Sequence, residues 1–266
     1  LCAARDPLQP SLREAMRHWR LLQLDPALLR RPVPATASDV LNADGSNLAA
    51  VLAQLKAETA TTTRPNGVLS DIVAELNNLI PGTTRLDAEL HEASREYRIK
   101  LTMLDGLPFS SRVISDGTLR VLALLTLLHD PRHRGLICFE EPENGVHPAR
   151  IKQLIQRLKD MVTRLHDFEE EDENCCPPLS QLLLNSHSPV VLSALIDKEL
   201  HPVEGSILFA DTATVSDPES HELRRKTRLR PVEGGQLGLF GESNADRNFV
   251  SEYEVKKVLE TVGTED

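Results

Sequence analysis

Aromatic side chains are nearly missing from this 266-residue chain: one Trp, two Tyr and six Phe make up 3% of it. Grooves that hold single-stranded nucleic acid by stacking need aromatic platforms, so a base-stacking groove is disfavoured. An excess of positive charge is also missing. Thirty Lys and Arg stand against 40 Asp and Glu, for a net charge of -10. Phosphate-backbone binding needs clustered cations, so the chain is not a stand-alone nucleic-acid binder. Leu223–Arg230 is a local exception with five cations; it reads as a solvated charge run, with a local nucleic-acid patch as the alternative. The four cysteines (Cys2, Cys138, Cys175 and Cys176) form no C-x-x-C pair. That argues against a cysteine zinc site and fits a reducing cytoplasm. Cys138, mid-strand in an apolar run, reads as a small buried hydrophobe.

No run of about 18 apolar residues exists, which excludes a spanning helix, and no basic-then-apolar leader marks secretion. A cytoplasmic location and no membrane partner are expected. No Gly-x-Ser-x-Gly elbow is present, which removes the corresponding serine hydrolases. Neither an initiator Met nor a Gly-x-x-x-x-Gly-Lys-Ser/Thr loop is found. The sequence therefore reads as starting inside a longer protein.

With 40% hydrophobic residues and a mean hydropathy of -0.26, one or two globular domains are expected. Residues 11–24 have helical spacing through Leu12, Met16 and Trp19, and Pro26, Pro32 and Pro34 mark an extended loop. Asp44–Asn47 is a turn and cap for a helix over 48–57. Gly45 alone is a turn signal, not a phosphate loop. A Thr-rich loop over 60–64 precedes a helix over 68–79 that stops before Pro81-Gly82. Residues 84–104 alternate with period two (Tyr97, Ile99, Leu101, Met103) and predict strands of an antiparallel arm or a sheet edge. From Ser115 the pattern becomes helix 117–129, buried strand 136–139, helix 149–165, acidic loop 167–178, buried strand 179–185, helix 190–196 and a third strand over 207–210. Such alternation predicts an α/β fold with a mostly parallel sheet. From about 213 the chain is a charged tail.

Three motifs carry chemistry. Ser115-Asp116-Gly117-Thr118 opens a helix. Exposed N–H groups and the positive end of the dipole favour a phosphate there, Ser115 can donate a hydroxyl, and Gly117 permits close approach; an ordinary capped helix start is the plain alternative. Glu140 and Glu141 follow four apolar residues at the C-terminal end of a strand, the edge where open α/β sheets bind ligands. Consecutive strand residues face opposite ways, so one carboxylate can reach a magnesium shell and the other an attacking water; a solvent-facing strand end is the alternative. Glu140, Glu141, Glu143 and His147 could also be read as a two-metal cluster. His187, between Ser186 and Ser188 at the end of the next strand, can meet a phosphate or a catalytic water, or be structural.

Taken in order, ISDGTLRVLAL (114–124), LICFEEPENGVHP (136–148) and LLLNSHSP (182–189) resemble the signature motif, the Walker B strand with its following D-loop, and the switch-histidine loop of ABC-type ATPase heads of the RecF/SMC/OLD-like group. LRRP (29–32) and DGSNLAAVLAQL (44–55) resemble the stretch before the signature, and the likeness covers about 20–210. It implies a P-loop NTPase fold of ABC-head type with flanking helices and a helical/β insertion. The expected divisions are an N-terminal lobe with insertion over 1–110, an ATPase lobe over 111–212 and the tail over 213–266. The resemblance implies ATP and Mg2+ as cofactors. Ser115, Asp116, Gly117 and Thr118 would touch the γ-phosphate held by an opposing protomer. Glu140 would help hold magnesium, usually through water, and Glu141 would be the general base or water positioner. His187 would sense the γ-phosphate, and Asn144 would meet the partner head.

Asp116 departs from the transporter pattern, which has glycine there. The phosphate loop would lie before Leu1, so hydrolysis of ATP to ADP and phosphate is expected only when that segment is supplied. The expected partners are a second head and a separate effector such as a nuclease, with DNA contact by the assembly. The context implied is bacterial anti-phage defence or DNA repair. A Toprim nuclease like that of OLD relatives is not expected, because Glu204, Asp211 and Asp217 lack its spacing. Two alternatives are a non-hydrolysing scaffold and a metal-dependent nuclease built on Glu140 and Glu141.

Overall fold

The computed structural model describes residues 16, 17, 19–132, 135–163, 180–197, 202, 205–216, 223–232, 250 and 252–260. The acidic loop expected over 167–178 lies outside them. The chain forms two compact units, Leu1–His187 and Ser188–Asp266.

The first unit runs β1 (Arg20–Leu22), α1 (Pro26–Leu29), β2 (Val33–Pro34), α2 (Leu48–Thr59), α3 (Leu69–Leu79), β3 (Thr83–His91), β4 (Glu96–Met103), β5 (Pro108–Ser110), α4 (Asp116–Leu128), β6 (Gly135–Glu140), α5 (Pro148–Lys159) and β7 (Ser180–Asn185). The helix expected over 11–24 is a strand at its C-terminal end. Arg20–Leu22 pairs in parallel with Ile137–Phe139, and that sheet partner overrides the helical spacing in these three residues. The proline loop instead contains a one-turn helix capped by the Asp25 carboxylate, which accepts from Ala27 N–H at 2.8 Å, and a short strand. Pro26 suits the first turn because its missing N–H would have no acceptor there.

Two sheets organise this unit. The order β1-β6-β7 is all parallel, and β2-β4-β3, with β5 on β4, is antiparallel. The period-two stretch 84–104 is the β3–β4 hairpin. Its buried side chains Leu86, Ala88, Ile99 and Leu101 face the helices α2 and α3 packed on it. Asp87 is buried in the same sheet, where Lys56 Nζ donates to it at 2.7 Å and Arg85 at 3.2 Å. Burial by itself would raise this carboxyl; the Lys56 hydrogen bond and charge, with Arg85 and the Ala88 N–H, outweigh it and hold the group below the usual carboxylate range.

Helix α4 is the centre of the unit. Nearly every residue from Gly117 to Leu127 is buried, and α1, α2 and α3 pack around it. Glu75 of α3 ties the surrounding helices together. It accepts from the Arg157 guanidinium of α5 and lies 3.2 Å from Nε2 of His129, which caps α4. The Glu75 hydrogen bond raises the Arg157 pKa above its ordinary value.

Fold class agrees with expectation as a mixed α/β structure with a parallel sheet, but the burial of that sheet differs. Ile137 and Phe139 are buried, whereas Leu21 and Leu183, in register with half-buried Cys138, are 65% and 56% exposed. Strands β6 and β7 are thus covered on one face rather than the expected two, and Cys138 lies on the open one. Helix α5 stops at Lys159, short of the expected 165.

The second unit holds α6 (Pro189–Leu195), β8 (Leu208–Ser216), β9 (Leu223–Pro231) and α7 (Glu252–Glu260). The strand expected over 207–210 does not extend the parallel sheet; it opens an antiparallel hairpin. The region called a charged tail contains this hairpin and a helix. Leu192, Val232, Val250 and Val255 form the unit's core, with Phe209 packed against them. The basic run is β9. Asp211 pairs with Arg228 at 2.9 Å and with Arg230 at 2.8 Å, and Arg230 also meets Glu254 at 2.9 Å, so part of that charge is neutralised within the unit.

Candidate functional site

Ser115 is extended, and its Oγ accepts from Thr118 N–H at 3.2 Å, the capping geometry that starts α4. The Thr118 hydroxyl lies 2.8 Å from the same Oγ and is buried, so Thr118 sits behind Ser115. Leu119 N–H bonds to the Ser115 carbonyl. The N–H groups of Asp116 and Gly117 begin the helix and have no intrahelical acceptor. Asp116 is exposed and paired with Arg30, whose Nη1 also donates to the Arg112 carbonyl at 2.9 Å. A carboxylate at this position would repel a phosphate; Arg30 neutralises it. Gly117 has a separate demand on it. A Cβ there would overlap the Gly145 carbonyl, and a Cβ on Gly145 would lie 2.7 Å from Gly117 Cα. Helix α4 and the loop after β6 therefore touch backbone to backbone, with room for glycine alone.

Strands β6 and β7 run in parallel, with Glu140 opposite Asn185. Both end at the same edge, so the residues that follow them are neighbours. Glu140 is exposed at that edge. Glu141 N–H donates to the Asn185 carbonyl at 2.8 Å, and the Glu141 carbonyl accepts from Asn144 N–H at 3.0 Å. Between these bonds Glu141 holds φ at +48°, a left-handed conformation that residues with a Cβ seldom adopt. Such strain persists where surrounding structure enforces it, and it clusters at functional sites. Pro142, next in sequence, disfavours the right-handed helical alternative for Glu141.

The Glu141 carboxylate lies 3.6 Å from Nε2 of His187 and 3.4 Å from Nδ2 of Asn144. Thus Glu141 and Asn144 of one motif and His187 of another meet at one strand edge. His187 is 83% exposed, so its ring is open to solvent on most sides. Asn144-Gly145 makes the turn, and His147 caps α5 by accepting from Ala149 N–H through Nδ1 at 3.3 Å. Arg30 is a neighbour of the site that none of the three motifs marks, while Glu143, expected only as a ligand of a two-metal cluster, and Ser186, expected only as a flank of His187, make a further contact. Ser186 Oγ donates to Glu143 Oε1, joining the β6 and β7 exit loops. Asp116 lies 86 residues from Arg30, too far for a local pattern to pair them; the bond between Glu143 and Ser186 depends on the pairing of β6 with β7.

The two-metal reading has no geometric basis. Among the described residues no group of three or more His, Cys, Asp or Glu side chains gathers as a metal site. Glu143 is turned to Ser186, and His147 is spent on a helix cap. A single magnesium ion is a different requirement, because it takes one or two carboxylates and fills its octahedron with water and phosphate oxygens. Glu140 at the strand end fits that role.

Residues 5–193, well over half of the chain, match the family described as "AAA domain, putative AbiEii toxin, Type IV TA system". The chain belongs to this AAA domain family. Several solved structures also resemble this AAA domain. An SMC ATPase studied for ATP-driven dimerization and DNA-stimulated activation is 13% identical, with a TM-score of 0.39 over 75% of this chain and 93% of that one. The Smc head domain with coiled coil and joint from Pyrococcus yayanosii is 14% identical, with a TM-score of 0.39 over 74% of this chain and 29% of that one. An SmcHead bound to the C-terminal winged-helix domain of ScpA is 15% identical, with a TM-score of 0.44 over 85% of this chain and 61% of that one. No curated protein sequence matches the chain. Among the described residues, no helix is long and apolar enough to cross a membrane.

Proposed function

We propose that this AAA domain is the C-terminal part of an ATP-hydrolysing head that closes against a second head and thereby controls a separate effector. The observation that carries the reading is the convergence of a strained Glu141 with His187 and Asn144 where two parallel strands end. In this reading Glu141 orients the attacking water and accepts its proton, and His187 contacts the γ-phosphate. Glu140 holds magnesium through water; the ion, when bound, neutralises charge on the phosphate oxygens. Ser115 and the free N–H groups of Asp116 and Gly117 address the γ-phosphate held by the opposing head, Thr118 fixes the Ser115 hydroxyl, and Asn144 meets that head. A site completed by two heads links nucleotide state to closure.

The phosphate loop comes from a segment outside these residues. Parallel sheets are normally covered on both faces. The exposed Leu21 and Leu183 would give such a segment an apolar face to cover. Defence against phage or DNA repair, with a nuclease as effector and DNA in the assembly, is the context proposed, and the cytoplasm is the proposed compartment.

The test is phosphate release by the full-length protein with ATP and magnesium. Glu141→Gln should abolish turnover while nucleotide binding persists; undiminished turnover would remove Glu141 from its role.

A further inference from the structure

We propose that Glu143 is a positioning residue for hydrolysis, acting through Ser186 to hold the histidine loop against Glu141; this rests on the reading of the site given above. Where the two strands end, Glu141 N–H donates to the Asn185 carbonyl at 2.8 Å. Beyond it the exit loops are joined by side chains. Ser186 Oγ donates to Glu143 Oε1, and His187 stands 3.6 Å from Glu141. A ring that is 83% exposed is not held by packing. Its position follows from its chain neighbour Ser186, and Ser186 is anchored on Glu143.

The choice of residue at 143 supports a role beyond packing. The second carboxylate oxygen of Glu143 is buried and has no hydrogen-bond partner among the described residues. Taking an acceptor out of water without a donor is unfavourable, and an apolar or smaller side chain would avoid it. What the carboxylate supplies in return is the bond to Ser186. Its rigid frame also matters: Glu143 lies in the turn whose next residues are Asn144 and Gly145, and Gly145 is packed on Gly117. The loop that holds the histidine is therefore fixed to the start of α4, not to a free segment.

Displacing catalytic groups by about 1 Å costs up to about a hundredfold in rate. In the full-length protein with ATP and magnesium, Glu143→Ala should lower kcat about tenfold or more, with KM for ATP changed less than about twofold. Glu143→Gln keeps a carbonyl acceptor for the Ser186 hydroxyl and should restore most of the rate. Ser186→Ala should match Glu143→Ala, and the double variant should be no slower than either single one, because both remove one bond. A general loss of folding would lower the apparent kcat through the folded fraction with KM unchanged, so kcat is expressed per folded protein, with the folded fraction read by circular dichroism. Should Glu143→Ala fail to fold, Ser186→Ala carries the test alone. If Glu141→Gln abolishes turnover while Glu143→Ala and Ser186→Ala leave kcat within twofold, the positioning role is wrong and the site stands. Multiplying losses in the double variant also overturn it. If Glu141→Gln itself turns over normally, the reading of the site fails first.

Discussion

Glu141 holds a left-handed backbone at φ +48° with a full side chain. For an L residue that conformation costs roughly 1–2 kcal/mol. Replacing it with glycine removes the cost but adds freedom to the unfolded chain, an opposing effect of roughly 0.4–1 kcal/mol. Replacing it with alanine deletes the same carboxylate yet keeps the Cβ and the strain. The two backbone bonds at this residue, to Asn185 and Asn144, survive in both variants. The lost side-chain contacts are long, at 3.4 and 3.6 Å, and exposed, and both variants lose them equally. Glu141→Gly should therefore be more stable than Glu141→Ala by about 0.5–1 kcal/mol. For a unit of this size, that is a melting temperature higher by about 1–4 °C. Both should lack hydrolysis, so stability and activity part at this position. Differential scanning calorimetry on the two variants reads the difference. Arg95, also left-handed at φ +54° but in the β3–β4 turn, is the control and should give the same sign without affecting turnover. A glycine variant at 141 that melts at or below the alanine variant would falsify the assignment of strain.

Other outcomes follow from neighbouring contacts. Gly117→Ala places a methyl on the Gly145 backbone, where no flexible side chain can yield. The start of α4 and the loop must part by about 1 Å, so turnover should fall by about a hundredfold in a phosphate-release assay, and an unchanged rate would refute the close contact. Asp87→Asn removes a buried carboxylate held below the usual range, with burial opposed by Lys56 and Arg85. At pH 7 it should cost about 1–3 kcal/mol in urea unfolding. Because the folded-state pKa is depressed, the stability contributed by Asp87 is present above the unfolded value near 3.8 and fades as pH falls through the folded one. The gap between wild type and Asp87→Asn should thus narrow below about pH 4; a gap that stays constant would contradict the ion pair.

Much of this was legible in the chain. Capping chemistry at Ser115, the apolar run before Glu140 and the period-two alternation through Tyr97, Ile99 and Leu101 each act over a few residues, so local pattern alone set α4, β6 and the β3–β4 hairpin. The order of three motifs named the head to which they belong. Tertiary structure decided what depends on a distant partner. Arg20–Leu22 is a strand because Ile137–Phe139 lies beside it, and Asp116 is neutralised because Arg30 reaches it. Likewise β8 is half of an antiparallel hairpin because its hydrogen bonds go to β9, whose arginines pair with Asp211 and Glu254. The candidate site shows the same division. Sequence supplied Glu141 and His187 as residue types at strand ends. Only the pairing of β6 with β7 brought them to 3.6 Å, and only the close turn after Glu141 gave it a strained backbone.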